Sequence, residues 1–379
     1  MRAVIIGAGI GGLATAVALR RVGLETLTIE RAPSIRELGA GLSIWANAMS
    51  ALRELGVEAR VMASASVIER NVSETRTGRL IGITDLSKIS GIAGPACICV
   101  HRAVLQRILL EGLPGESLRT GARCVGFEDS TAILEDGNRI TGDILVGADG
   151  IYSVIRDQLH GAAPPRYAGY TCWRGICRGE ELLLDGSTLL AIGSGTQFGA
   201  WPCGAGQLYW FLTQNAPAGR TQTKADAVAL CRHWAAPIPE IVEGTAEDAI
   251  HQSDIFDRPP LSWWGRGRIT LLGDAAHPAT PNLGQGACQA LEDAIVLADC
   301  VRRVQAPEAA LREYEQSRIP RTRAIVKNSW QSGRILQMDR TALEKLRNWL
   351  MGTSVGTHLG MRMLRELLAY KVPMLKPPT

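Results

Sequence analysis

Val4-Ile5-Ile6-Gly7-Ala8-Gly9-Ile10-Gly11-Gly12 is the run that decides the architecture. Its three leading apolar residues predict a strand buried on both faces, as in a parallel sheet. Gly7-x-Gly9-x-x-Gly12 follows at once, and Leu13 to Val22 continues as a helix rich in Ala and Leu. In such a turn the first glycine permits the tight bend and the second lets backbone approach a pyrophosphate. The third brings helix against strand. Gly23 closes the helix, and Leu27-Thr28-Ile29-Glu30 forms the next strand. Glu30 stands 18 positions after Gly12, near where an acid binds the adenosine ribose hydroxyls. The glycine spacing alone is a weak signal. With strand, helix and terminal acid in place, it predicts dinucleotide binding.

A second strand-to-helix turn lies far along the chain. Ile269-Thr270-Leu271-Leu272 is a short apolar strand, ending in Gly273-Asp274-Ala275-Ala276-His277-Pro278. A loop of small and amide residues, Ala279 to Gly286, then opens a helix from Ala287 to Cys300. Backbone N–H groups and a helix N-terminus converge there on negative charge. Asp274 can accept hydrogen bonds from hydroxyls of a sugar or ribityl chain. These features predict a pocket for the flavin half of FAD.

The 379 residues leave room for two or three lobes, and a net charge of +4 without a long basic run argues against a nucleic-acid surface. Nine cysteines with no C-x-x-C pair suit buried thiols in a reducing compartment. Cys97-x-Cys99 is too close for a zinc knuckle, so no metal is expected. Met1 to Gly7 reads as strand rather than signal peptide, and no run of ~20 apolar residues appears. A cytoplasmic protein without a membrane span is the expectation.

Gly39-Ala40-Gly41-Leu42-Ser43 leads into a helix from Ala46 to Leu55. Those glycines mark either a close approach to the cofactor's middle or a plain surface turn. Val67 to Val100 is β-like, with Gly78, Gly82, Gly91 and Gly94 between short apolar pieces, and is assigned to a second sheet. Arg102 opens a helix reaching Glu111, where the dipole disfavours a cation. Either a nearby phosphate or carboxylate resolves that conflict, or the side chain is simply solvated. Ala122 to Phe127 and Ala132 to Glu135 form a hairpin-like excursion.

Asp143 to Gly150 is a third signature, an apolar strand ending in Gly147-Ala148-Asp149-Gly150 with Ser153 and Arg156 on an emerging helix. Asp149 either caps that helix or fixes Arg156 or the phosphate surroundings. Tyr170–Ile176, Thr188–Ile192 and Gln207–Leu212 predict a mostly antiparallel sheet. Its Trp173, Trp201, Tyr209, Trp210 and Phe211 either wall a pocket for a flat ligand or fill the core. Helices are expected over Thr223–Trp234, from Pro237 towards Ile250, over Ala309–Tyr314, over Pro320–Met338, and as two pieces within 341–370. The last of these is amphipathic and basic. It either packs across the domains or makes peripheral contact with a membrane surface.

The three glycine-rich motifs, in this order, resemble the single-component FAD-dependent aromatic hydroxylases, the para-hydroxybenzoate hydroxylase-like monooxygenases. The likeness covers about residues 1–335. Thr280 to Gly286 with Gln289-Ala290-Leu291-Glu292-Asp293 looks most like the alkylquinolone 3-hydroxylase, zeaxanthin epoxidase and FAD-dependent urate hydroxylase group. Tyr170 to Gly175 and Lys327 to Arg334 tilt it towards quinolones and aromatics. The resemblance implies an α/β fold with a Rossmann-like FAD-binding domain (1–66, 101–166 and 265–335). An interleaved, mostly antiparallel substrate domain (67–100 and 167–264) and a C-terminal helical segment (336–379) complete it.

By that likeness Gly7, Gly9, Gly11 and Gly12 hold the FAD pyrophosphate, Glu30 and Arg31 the adenosine side, and the Val125 backbone the adenine. Ser43, Arg102 and Asp274 serve the middle of the cofactor, and Asp149 belongs to a motif for both FAD and NAD(P)H. Pro281, Gly284, Gln285, Gly286 and Ala287 lie beside the isoalloxazine. Pro281 and Tyr209 are the catalytic candidates, while His277 sits in the flavin motif. NADPH or NADH would reduce FAD, and dioxygen would yield a C4a-hydroperoxyflavin that hydroxylates a small aromatic substrate. Urate fits poorly, because urate hydroxylases carry an arginine where Gln197 aligns. No histidine lies between Tyr167 and Leu212 to act as base. Epoxidation of an isoprenoid alkene is the runner-up, and a non-catalytic FAD-binding redox sensor the third reading. The Trp-x-Trp-x-Ile-Pro run of halogenases is absent.

Overall fold

The computed structural model describes residues 1–35, 40–89 and 94–376. The expectations at Gly39 and Gly91 fall outside them. A five-stranded parallel sheet holds the N-terminus, in the order Ile269–Leu271, Ile144–Gly147, Arg2–Ile6, Glu25–Ile29 and Leu118–Arg119. All three glycine signatures therefore leave the same edge of one sheet, since parallel strands end on one side. That shared edge assembles the site. Helices Ile10–Arg21 and Gly286–Arg303 pack on each other over it, and the largest apolar cluster lies between sheet and helices.

The second sheet has seven strands, in the order Ile250–Asp257, Arg166–Arg178, Gln207–Asn215, Thr196–Pro202, Ser187–Ile192, Arg70–Thr75 and Leu80–Asp85. Every pair is antiparallel except Ser187–Ile192 with Arg70–Thr75. Strand Cys97–His101 does not join it. Four of its five residues are buried, and it pairs instead with Gly41–Trp45 and Ser66–Val67.

Two expected elements differ. The helices expected at Ala309–Tyr314 and Pro320–Met338 are one helix, Pro307–Leu336, with Pro320 inside it. An interior proline costs about 3 kcal/mol. Buried partners on either side offset that cost. Tyr314 donates to the Leu271 carbonyl, and Arg318 binds Glu292 and Asp293. The helix expected from Pro237 ends at Glu243, and Ile250–Asp257 is an edge strand. Asp257 is fully buried there and takes Arg166 in a two-pronged pair at 2.8 and 2.9 Å.

Candidate active site

The turn after Arg2–Ile6 is shaped by contacts that no side chain could share. Gly7 has φ +104°, and a Cβ there would lie 2.4 Å from the Ala148 carbonyl oxygen. A Cβ on Gly12 would lie 1.9 Å from the Gly7 carbonyl oxygen, and one on Gly11 would meet Leu272 and Ala290. Gly9 differs, with nothing within 4 Å of where its Cβ would stand. The helix it opens has no side-chain cap and no acid in its first turn, which leaves its first N–H groups to an anion. Glu30 closes the turn, its two oxygens accepting from Ala8 and Ala32 N–H at 2.8 Å. Arg31 follows it, exposed. Val125 is the extra residue of a bulge. Cys124 faces Leu134 and Gly126 faces Ile133, so the backbone between them is skipped.

Asp149 caps. Its Oδ2 accepts from Val154 N–H at 2.8 Å and Ile155 N–H at 3.4 Å, while Arg156 turns to the Ile151 carbonyl and Asp157. Burial raises its pKa, and its Oδ1 has no partner. Asp274 lies within electrostatic reach of Arg102. Burial raises the Asp274 pKa, and the charges of His277 and Arg102 oppose that rise. The carboxylate is still open to solvent, as on the floor of a cleft. Arg102 itself is exposed at the start of helix Arg102–Glu111.

Pro281–Leu283 is a single turn with Pro281 exposed, and Gly284 is left-handed at φ +60°. A Cβ on Gly284 would lie 2.9 Å from Trp45 Nε1. The loop thus lies on strand Gly41–Trp45, where the Ser43 carbonyl accepts from the Cys288 thiol at 3.7 Å. Gln285 is buried, and its Oε1 accepts from Asn47 and Gln289 at 3.0 Å. Gly286 and Ala287 begin the next helix, which has no side-chain cap. Trp45 Nε1, Asn47 Oδ1, Thr280 Oγ1 and Gln285 Nε2 are buried without partners. Each such orphan costs about 1–3 kcal/mol, so several gathered on the loop and on the strand and helix beneath it mark the contact surface of a polar ligand. These residues suit FAD in kind: the open backbone and uncapped helix start at Gly9, the solvent-facing carboxylate of Asp274 and the orphaned polar atoms around residues 280–285 are what a pyrophosphate, a hydroxylated chain and a polar heterocycle would need.

Beneath the loop lies a buried charge network. His277 Nε2 stands 2.6 Å from Asp293, and Arg318 binds Asp293 at 2.7 Å and Glu292 at 2.6 Å. Arg321 and Asn47 also reach Glu292. Burial alone would raise the Asp293 pKa, but His277 and Arg318 hold it down at about 2. His277 is therefore tied to Asp293 and supports the loop.

The antiparallel sheet sorts its aromatics by alternation. Trp173 and Trp210 point away from the flavin loop into a core under the helices Lys224–Cys231 and Ile238–Glu243. Trp201, Tyr209 and Phe211 lie on the other face, with Trp201 stacked on Phe211 at 5.3 Å. One contact ties that face to the loop and another to strand Gly41–Trp45 beneath it. Tyr170 donates to Asn282 Oδ1 at 2.9 Å, and Gly41 lies so close to the Tyr209 ring that a Cβ would reach within 2.3 Å.

Between those contacts stands Arg174, a residue that the sequence reading passed over. It donates to Ser253 Oγ at 2.9 Å and stands near enough to Tyr209 to interact with it electrostatically. Its pKa is raised by neighbouring Cys172 and, further, by Tyr209 and Tyr170. Burial raises the Tyr209 pKa. The sheet also gains His251, which faces Arg174 across the edge strand and is exposed. Strand alternation on Tyr170 to Arg174 could have found Arg174. His251 lies just past the helix expected from Pro237 towards Ile250, on a strand that was not foreseen. Gln197 is buried on the same face and donates to Gln337 at 2.5 Å.

The model of the FAD binding domain matches residues 1–165 and 219–329. Aurachin C monooxygenase/isomerase of Stigmatella aurantiaca is 40% identical over 370 residues, covering 96% of this chain and 97% of its own. The FAD-dependent urate hydroxylase of Klebsiella pneumoniae is 34% identical, covering 86% and 88%. The crystal structure of Klebsiella pneumoniae HpxO complexed with FAD and uric acid superposes with a TM-score of 0.92 at 30% identity. It covers 98% of this chain and 97% of that one. With the glycine turns, Asp274 and the orphaned amides gathered on one cleft, the chain belongs to the FAD binding domain family, among its flavoprotein monooxygenases.

Proposed function

We propose that the protein hydroxylates a phenol- or quinolone-like heteroaromatic, taking electrons from NADH or NADPH and one oxygen atom from dioxygen. When bound, FAD supplies the electron relay and the activation of oxygen. The chain supplies orientation, charge and dryness. The uncapped N-terminus of helix Gly286–Arg303 would offer its positive end to a heterocycle bound along the loop, where reduction would place negative charge. The Trp201–Tyr209–Phe211 wall keeps water from the space above the loop.

Arg174 carries the substrate reading. It is a cation on the sheet face that closes on the flavin loop, its hydrogen-bond partner Ser253 is neutral, and no carboxylate pairs with it among the described residues. A phenolate or enolate-like ring oxygen matches it, and such an oxygen makes the ring more nucleophilic. Tyr209, near Arg174, is the polar contact beside it. Gln197 is neutral and already engaged with Gln337, which disfavours urate. The decisive experiment follows oxidation of NADH and NADPH by the FAD-loaded enzyme, with and without phenols and 4-quinolones, under labelled dioxygen. Substrate-stimulated turnover with one labelled atom in the product supports hydroxylation. No turnover with either donor would leave a redox sensor and end this proposal.

A further inference from the structure

Charge and exposure are distributed unevenly along the chain. Residues 340–379 hold seven Lys and Arg against two Asp and Glu, a balance of +5 in a chain whose total is +4. Everything before them is slightly acidic. Of the nineteen large hydrophobic side chains exposed among the described residues, eight fall within 343–374.

Helix Thr341–Gly352 exposes Leu343, Leu346, Trp349 and Leu350, spaced to lie along one side, with Trp349 64% open to solvent. Helix Ser354–Leu368 exposes Val355, Leu359 and Met363, again on one side, with Val355 76% open. The helices meet in a tight corner, where a Cβ on Gly356 would lie 2.1 Å from the Leu350 carbonyl oxygen. Their other sides are already used. Arg347 is buried and donates to the carbonyls of Ile335 and Leu336. Met361, Leu364 and Leu368 pack in one cluster with Trp201 and Tyr209. The second helix is therefore apolar inward and outward, and its inward side packs into the same apolar cluster as Trp201 and Tyr209.

We propose that this helix pair docks on an anionic lipid bilayer. Trp349, Leu350 and Val355 would enter the boundary between headgroups and acyl chains, with Lys345, Lys371 and Lys376 at the acidic headgroups. A second copy of the chain is a poorer occupant, because it would bring +5 against +5. The bilayer would then lie one helix away from Trp201 and Tyr209, on a path suited to a lipophilic substrate. The docking itself does not depend on which reaction the site performs.

Co-sedimentation of the FAD-loaded full chain with phosphatidylcholine vesicles, with and without phosphatidylglycerol, tests the idea. The expected result is partitioning at least tenfold higher onto acidic vesicles, falling with added salt, since each cation contributes about fivefold. Trp349→Glu with Val355→Glu should abolish sedimentation while flavin absorbance and NAD(P)H oxidation stay unchanged. Lys371→Glu with Lys376→Glu should lower it on acidic vesicles only. A chain that stays in the supernatant with acidic vesicles overturns the proposal. So does a concentration-dependent dimer that Trp349→Glu dissociates without any vesicle binding.

Discussion

Gly9 and Gly12 look alike in the motif and differ in space. At Gly12 an added methyl meets backbone at 1.9 Å, whereas at Gly9 it meets nothing. Gly12→Ala should therefore destabilise the apoprotein by several °C in a melting experiment, since backbone must move. Gly9→Ala should melt like wild type without FAD yet bind FAD at least tenfold more weakly, because the methyl would occupy the pyrophosphate's place. Equal FAD titrations for Gly9→Ala and wild type would refute that assignment. Arg174 makes a second residue-scale case. A charge-assisted hydrogen bond is worth about 1.5–3 kcal/mol, so Arg174→Met should raise KM about 10–100-fold for an oxyanionic substrate. The flavin spectrum and the NAD(P)H-to-flavin step without substrate should not change. The position was visible in the strand alternation. Its importance was not, because nothing in one sequence says which cation lacks an acid.

Helix Gly286–Arg303 and the long helix Pro307–Leu336 are held together by charges rather than by apolar contact alone. Arg318 is fully buried against Glu292 and Asp293. Removing one member of such a group leaves an uncompensated buried charge and costs about 3–5 kcal/mol. Arg318→Met should therefore unfold at markedly lower urea concentration than wild type. The pH dependence has a fixed sign. Asp293 is held at about 2 against an ordinary 3.8. Its contribution is complete above pH 3.8 and is lost as pH falls from there towards 2. A scan of unfolding midpoint over that window should show wild type losing stability more steeply than Arg318→Met. This helix pair also shows where periodicity misleads. Pro320 reads as a break because local rules give it about 3 kcal/mol of cost, while the buried partners that outweigh it lie 25 and more residues away.

At the scale of the molecule, the parallel half was largely legible because its evidence is local. Each glycine signature follows directly on its strand, and parallel pairing then carries all three to one edge. The antiparallel half was legible only in kind. Which aromatics face the flavin loop is set by register, and Trp210 and Tyr209 differ only in parity. The edge strand Ile250–Asp257 owes its place to buried Asp257 and Arg166, which also lies 3.4 Å over the Trp330 ring on the long helix. Among the described residues, Tyr170–Asn282 is the side-chain hydrogen bond that joins the antiparallel sheet to the loop itself. Burial raises the Tyr170 pKa, so the phenol stays protonated and donates across the working pH range. Tyr170→Phe keeps the packing and deletes that one bond, costing about 1 kcal/mol of closure. A looser seam admits water above the loop, and reducing equivalents are then lost as hydrogen peroxide. The fraction of NAD(P)H that ends as peroxide should rise about fivefold in Tyr170→Phe, with FAD affinity unchanged. Unaltered peroxide yield, measured with substrate at saturation, would mean that the seam is kept dry by the Trp201–Phe211 wall alone.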